Sequence, residues 1–182
     1  DGEEAWLRSI LQPARNSQGQ IQFFSIYASD LTRTIVASRE HENLVKALQR
    51  STAVIEFNPN GEILTANKPF LDSMGYNLAQ IQGKHHRMFC DPAVANSAEY
   101  QHFWDQLRRG EFAAGRFKRV DAYGHEVWLE ASYNPVTDAQ GNLYKVVKFA
   151  TVITDQVNRE RAVAEAASIA FETSKDTDNS AK

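Results

Sequence analysis

The sequence has little cysteine, methionine or proline, and neither sign of charge is in large excess: one Cys, two Met and five Pro in 182 residues, with a net charge of -3. A lone Cys90 excludes an internal disulfide and CxxC metal or redox motifs. It favours a reducing, cytoplasmic setting, which is compatible with a membrane anchor elsewhere in a longer parent protein. No apolar run approaches the roughly 18 residues of a membrane span. The weakly negative net charge does not indicate a basic surface that would bind nucleic acid or an anionic membrane.

Catalytic motifs are also lacking. The sequence contains no P-loop, no metal-ligand spacing and no nucleophile, base and acid set, so we expect no enzyme activity and no metal site, apart from His86 if haem is bound. The clearest feature that is present is an internal repeat. Residues 2–32 and 124–154 align without a gap, which matches Trp6 with Trp128, Pro13 with Pro135, Gly19 with Gly141 and Thr32 with Thr154.

Only the second copy of the repeat follows a long stretch of further globular pattern. We therefore expect residues 1–34 to be the C-terminal strands of a truncated first domain, and 35–50 to be a linker helix. Residues 51–155 should form a complete domain, and 156–182 the start of a coiled-coil helix. That helix carries a stripe of small residues every three or four positions: Val163, Ala167, Ala170, Ser174, Thr177 and Ala181.

The pattern within 51–155 predicts two short strands, several helices and then three longer strands at about 111–120, 125–136 and 142–153. This order gives an α+β fold, a five-stranded antiparallel sheet with helices on one face. Asn67 is expected to cap the first helix, and Asn96 to Glu99 to form a capping box for an amphipathic helix. The segment from Gly83 to Val94 is predicted to be irregular.

Several short motifs occur together in one order. They are Asn58-Pro-Asn-Gly61, Ala66-Asn67-Lys-Pro-Phe70, Met74-Gly75-Tyr76, Gly83-Lys-His-His-Arg-Met-Phe89 and Trp128-Leu-Glu-Ala-Ser-Tyr-Asn-Pro135. In this order the chain resembles PAS sensory domains, and especially the tandem PAS modules of bacterial methyl-accepting chemotaxis transducers of the energy-taxis and biofilm-dispersion types. The run at 164–174 is similar to the start of a chemoreceptor signalling helix. The resemblance implies a homodimer that acts on a downstream signalling domain and its adaptor and kinase complex.

The resemblance also implies where a signal leaves the domain. PAS domains usually carry Asp-x-Thr between the last strand and the outgoing helix. The first copy keeps it as Asp30-Leu-Thr32, whereas the second has Val152-Ile-Thr154 followed by Asp155. We assign Thr154 and Asp155 to the signal exit, and whether Asp155 replaces the absent side chain stays open.

Candidate ligand residues are Asn67, His85, His86, Trp104 and Asn134, with Arg87 and Tyr100 beside them. Flavin-binding PAS domains of aerotaxis receptors carry residues that match Asn67, His86 and Trp104, which implies FAD. Two departures oppose flavin: Cys90 replaces a family arginine, and Arg119 replaces a strand asparagine. Haem held by His85 or His86 is the second option, and an empty pocket is the third.

Each candidate also has a structural interpretation. Trp104 and Trp128 are expected as core aromatics, Asn67 as a helix cap, and Tyr133 as a solvent-facing residue that alternates with Asn134. Two functions follow from the sequence. One is a sensory and relay module that responds to redox state, oxygen or a small ligand; the other is a ligand-free PAS domain used for dimerisation and signal transmission. The open edges of the first hairpin favour self-association in both.

Overall fold

The computed structural model describes the backbone of residues 4–180 and the side chains of residues 4–173. It divides into two compact units, with the boundary between Leu48 and Gln49. No helix among the described residues is long and apolar enough to cross a membrane.

The first unit is a hairpin followed by a helix. Strands β1 (Leu7–Arg15) and β2 (Ile21–Asp30) pair antiparallel, and helix α1 spans Thr32–Ser51. The Asn16 side chain accepts hydrogen bonds from the amides of Gln18 and Gln20, which closes the turn. The helix begins three residues earlier than the periodicity predicts, because Asp30 Oδ1 accepts the otherwise free amide of Thr32 at 2.8 Å.

The second unit contains the five-stranded antiparallel sheet that the sequence predicts, in the order β4-β3-β7-β6-β5. Its strands are β3 (Ala53–Phe57), β4 (Ile63–Ala66), β5 (Ala113–Val120), β6 (Glu126–Thr137) and β7 (Leu143–Val152). The helices between β4 and β5 are α2 (Lys68–Met74), α3 (Leu78–Ile81), α4 (Pro92–Ala95) and α5 (Ala98–Arg108). Helix α6 (Thr154–Ser180) follows β7.

Local capping explains where these helices begin and end. Asn67 caps α2, and Gly75 ends that helix in the left-handed conformation at φ 70°. The expected capping box at Asn96 is wrong: α5 is capped by Ser97, whose hydroxyl accepts the amide of Tyr100. Helix α4 was also not predicted, although Asp91 caps it and Pro92 occupies its first turn.

The core lies between the sheet and helices α2–α5, and strand alternation decides which side chains enter it. On β6 the inward positions are Val127, Leu129, Ala131 and Tyr133. Two expectations are therefore wrong. Tyr133 is fully buried, whereas Trp128, one position out of phase with it, lies on the outer face, where the Arg161 guanidinium covers its ring at 5.3 Å.

The two hairpins share one register. Leu7 pairs with Asp30 as Leu129 pairs with Val152. In each hairpin the pairing register also shifts at the equivalent position near the end of the first strand, at Arg15 and at Thr137. In α6 the side chains of Val163 and Ala167 are exposed. Ala170, the next residue of the predicted small-residue stripe, is exposed as well. Its last three members, Ser174, Thr177 and Ala181, lie outside the residues whose side chains are described.

Candidate functional site

The two adjacent histidines lie on opposite sides of one chain segment. The His86 amide donates to the Gly61 carbonyl at 2.8 Å, and His85 forms a bridge with Glu62, so the segment is held against the loop before β4. An extended residue reverses the side-chain direction at each step, which sends His86 into the core and His85 outward. His86 is fully buried, and His85 caps a short 3₁₀ turn at His86–Phe89 by accepting the Arg87 amide.

Both ring nitrogens of His86 are engaged. Nδ1 lies 2.8 Å from the Tyr100 hydroxyl on α5, and Nε2 lies 3.0 Å from the Tyr133 hydroxyl on β6. The Tyr133 oxygen also accepts from Arg119 Nη2 at 3.1 Å. Arg119, Tyr133, His86 and Tyr100 therefore form one hydrogen-bonded chain. The tautomer of His86 sets the direction of its two inner bonds.

The second cation near this chain is Lys148 on β7, the register partner of Tyr133. Its Nζ lies 4.8 Å from the Tyr133 ring centroid, and the residue is 2% exposed. Burial lowers the pKa of Lys148. Burial, together with the charges of Arg119 and Lys148, also holds the pKa of His86 well below its usual range, so the imidazole is neutral. We call His86, Tyr100, Tyr133, Arg119 and Lys148 the His86 network.

Aromatic rings enclose the network on the helix side. Phe57, Phe89 and Trp104 all meet the His86 ring edge-on, at centroid distances of 5.3, 6.3 and 5.5 Å. Cys90 Sγ lies 3.9 Å from His86 Nδ1, and burial raises the pKa of this thiol, which keeps it protonated. Arg119 Nε is buried and has no hydrogen-bond partner among the described residues. Trp104 Nε1 is also buried, and its only interaction among them is a weak one with the Tyr100 hydroxyl, short of a well-formed hydrogen bond.

A cleft of about 440 Å³ lies on the other side of Tyr100 and Trp104. Its further lining includes His85, Arg87 and Arg108. Burial, followed by the charge of Arg87, lowers the pKa of His85. Tyr100 and Trp104 thus separate this cleft from the His86 ring, since each lines the cleft and also contacts that ring.

Two of the predicted ligand residues lie elsewhere. Asn67 is the helix cap that its position predicts: its oxygen accepts the amides of Val54 and Phe70, and its nitrogen donates to the carbonyls of Gln49 and Thr52. The placement of Asn134 with the pocket residues is wrong. Because Tyr133 faces inward, Asn134 faces the outer side of the sheet. There its Nδ2 binds Ser132 Oγ and the Val147 carbonyl.

Haem and flavin do not fit this arrangement of side chains. A haem iron needs a free imidazole nitrogen, and both nitrogens of His86 are already hydrogen-bonded. His85 Nδ1 accepts the Arg87 amide, and its Nε2 lies against the tight turn at Gly61. A flavin would need the space that Trp104, His86 and Tyr133 now fill by contacting one another.

The predicted signal exit is tied to β6. Thr154 Oγ1 accepts the amide of Trp128 at 3.0 Å, and the amide of Ile153 donates to the Trp128 carbonyl at 2.8 Å. Ile153 and Val157 are each 7% exposed, so the first turn of α6 is packed as well as hydrogen-bonded. Asp155 is exposed in that turn, and no hydrogen bond to its side chain occurs among the described residues.

The sequence analysis missed the part that Lys148 and Tyr133 play, and it treated Arg119 only as a departure from a family pattern. A usable signal was present. Lys148 stands between Val146 and Ala150 at inward positions of a strand, where an unpaired charge is rare.

Residues 63–150 match the family model of the PAS fold. Over 177 residues the chain is 42% identical to the biofilm dispersion protein BdlA of Pseudomonas aeruginosa, covering 97% of this chain and 42% of that protein. Over 94 residues it is 29% identical to the aerotaxis receptor of Escherichia coli, covering 52% of this chain and 18% of the receptor. The chain therefore spans less than half the length of these curated relatives.

Among solved structures, a light-oxygen-voltage domain studied with a flavin analogue superposes with a TM-score of 0.55 at 21% identity. The match covers 69% of this chain and 96% of that domain. At this level of identity the likeness supports the fold alone.

Proposed function

Residues 63–150 of this chain belong to the PAS fold family, and on that basis we propose that the chain is a sensory and relay module of a chemotaxis transducer. A change of state at the His86 network alters strands β6 and β7, and these strands pass the change to helix α6. The observation that carries this proposal is that the network and the attachment of α6 share the same two strands.

The path is short and made of rigid parts. Tyr133 lies on β6 five residues after Trp128, which is about 17 Å at the rise of an antiparallel strand. Lys148 lies on β7 five residues before Ile153. A change in how Tyr133 and Lys148 are bound therefore acts on the two strands whose far ends hold Thr154 and Ile153.

The hydrogen-bond chain has two directions, which gives the network two states. In one direction Tyr133 donates to Nε2 of His86, and His86 donates from Nδ1 to Tyr100. In the reverse direction Tyr100 donates to Nδ1, Nε2 carries the proton, and the Tyr133 oxygen accepts from both His86 and Arg119. A stimulus biases this equilibrium only through its different affinity for the two states. Redox state, oxygen and a small ligand are the candidate stimuli, in keeping with the similarity to the aerotaxis receptor.

We also propose that residues 1–34 are the C-terminal strands of another PAS copy and that 35–50 link it to the PAS domain at 51–155. The shared register of the two hairpins supports this assignment. The apolar side chains exposed on β1 and β2, among them Leu11, Phe24 and Ile26, support a homodimer or another covering partner. The segment 156–182 would lead to a cytoplasmic signalling domain with its adaptor and kinase complex.

Hydrogen-deuterium exchange on the whole 182-residue chain tests the relay. Tyr133→Phe removes one hydroxyl from the network, and we expect exchange at the amides of Ile153 and Val157, about 20 Å away, to accelerate more than at the amides of β3, which report the general loss of stability. Asn134→Ala, the next residue on the outer face, is the matched control and should leave both amides unchanged. Unchanged exchange at Ile153 and Val157 in Tyr133→Phe would favour the ligand-free module that serves dimerisation and transmission only.

A visible absorption spectrum of the freshly purified chain tests the cofactor assignment separately. We expect no flavin or haem band, because the core side chains fill the space that either group needs. A flavin or haem band would mean that Trp104 and His86 move aside, and it would make the sensor a redox or oxygen sensor.

A further inference from the structure

The interior of the second unit carries positive charge and no negative charge. The buried polar or charged residues among those described are His86, Arg119 and Lys148, and no carboxylate is among them. Neither Arg119 nor Lys148 forms an ion pair within the described part of the chain. Arg119 stays protonated at any ordinary pH, so at least one full charge is buried without a counter-charge.

The unsatisfied hydrogen-bonding atoms in the same place are all donors. Arg119 Nε has no acceptor among the described residues, and Trp104 Nε1 has only a weak interaction with the Tyr100 hydroxyl, short of a well-formed hydrogen bond. Both side chains touch the network, since Arg119 binds the Tyr133 hydroxyl and Trp104 packs on the His86 ring. An interior with surplus donors and surplus positive charge is complementary to a group that offers only acceptors and carries negative charge.

We propose that the His86 network binds a small oxyanion, a carboxylate or a phosphate group, with Arg119 and Lys148 as its charged partners. The anion site itself does not depend on the proposed sensory function. Only the further step, that the oxyanion is the stimulus, rests on that function. The guanidinium fork and the ammonium would bind the anion oxygens, and the Tyr133 hydroxyl between them would change its hydrogen bonding when the anion enters.

The cleft outside Tyr100 and Trp104 provides a route for such an anion. Arg87, Arg108 and Asp105 line it. Because Asp105 is paired with Arg108, the charge of Arg87 is left to attract an anion to the mouth. Tyr100 is 8% exposed and contacts both the cleft and His86, so movement of this one side chain would join the cleft to the network.

The first measurement is made on the purified whole chain. Its thermal unfolding is followed in sodium acetate, in sodium phosphate and in sodium chloride at equal ionic strength. Anions released by denaturing the protein are identified by ion chromatography. We expect acetate or phosphate to raise the midpoint by several degrees over chloride. A response to acetate alone would identify a carboxylate ligand, and a response to phosphate alone a phosphorylated one.

Two substitutions locate the effect. Lys148→Met keeps the side-chain volume and should abolish the response to the anion while the chain stays folded, because replacing a buried cation by an apolar group of similar size is tolerated. Lys118→Met, an exposed lysine on β5, is the control and should respond like the wild type. Arg119→Lys keeps the charge but loses the fork, and we expect it to weaken the response.

Three outcomes would overturn the anion site. The first is an equal response in Lys148→Met, which would place the anion elsewhere. The second is no response in the wild type and no anion released from it. The third is a chain that releases no anion and shows a phenolate absorbance that Tyr133→Phe removes. An ionised Tyr133 would then be the counter-charge of Arg119 and Lys148. If the chain binds the anion but exchange at the Ile153 amide does not change, the anion site is supported and the proposed relay is contradicted.

Discussion

Removing the hydroxyl of Tyr133 should destabilise the second unit far more than loss of one exposed hydroxyl would. Tyr133→Phe keeps the buried ring and deletes the oxygen that binds His86 Nε2 at 3.0 Å and Arg119 Nη2 at 3.1 Å. A neutral hydrogen bond contributes about 1 kcal/mol and one to a charged group about 1.5–3 kcal/mol. Since Arg119 already has one unpaired donor, we expect the free energy of unfolding to fall by about 3 kcal/mol.

Urea denaturation followed by tryptophan fluorescence measures this loss, because Trp104 is only 3% exposed and lies beside the network. The slope of the free energy against urea should stay constant, so that the shift in midpoint reports stability alone. Tyr123→Phe is the matched control. Its side chain is 74% exposed, and a loss within about 0.5 kcal/mol is expected there.

A double substitution separates the two bonds. In an Arg119→Met background, Tyr133→Phe strands one charged donor fewer, since only Lys148 is left facing the hydroxyl, so its cost should fall. A loss below about 1 kcal/mol for Tyr133→Phe in the wild-type chain would refute the reasoning. It would mean that the hydroxyl lacks these bonds, as a solvent-facing Tyr133 would.

Gly61→Ala should cost more than Gly124→Ala in the same urea assay. Both glycines have φ near +83°, but only the Gly61 methyl would meet His85 Nε2, at 2.8 Å, and equal losses would exclude this clash. The free energy of unfolding should fall as the pH drops below 6.5, by up to about 1.4 kcal/mol per pH unit, because unfolded His86 takes up a proton that the folded residue refuses. His86→Phe should flatten this slope, and an unchanged slope would mean that other groups cause it. Light scattering should find a dimer that Leu11→Asp weakens, whereas a monomer with an ordered hairpin would contradict the proposed pairing.

The sheet and its helices followed from the sequence because their signals are local. Turn residues such as Asn58-Pro-Asn-Gly61 and the period of two along β5–β7 determine where strands begin and which face is apolar. Asn67 was likewise readable as a cap, since its role depends on the residues that follow it. Helix α4 was overlooked because most of it lies in the segment from Gly83 to Val94 that was predicted to be irregular, although Asp91 and Pro92 are local signals of a helix start.

The site was harder to predict because it depends on contacts between distant segments. His86, Tyr100, Arg119, Tyr133 and Lys148 come from a loop, a helix and three strands, and no spacing in the sequence joins them. The error at Tyr133 was one of phase. Tyr133 and Asn134 alternate there, and Asn134 was assigned to the pocket because an amide can bind the polar edge of a flavin. The larger apolar ring of Tyr133 gains more from burial, and it is the residue that faces the core.

The repeat links the site to its output in a way that neither copy would reveal alone. In the first hairpin the Trp6 amide donates to Thr32 Oγ1 and the Arg39 guanidinium lies over the Trp6 ring; in the second, Trp128, Thr154 and Arg161 make the same contacts. The two copies differ in what lies further along their strands. Leu11 and Ile26 stand where the second copy has Tyr133 and Lys148, so the first copy has the attachment for an outgoing helix without the charged network. The attachment is therefore common to both hairpins, whereas the buried charges on which we base the proposed anion site occur only in the second copy.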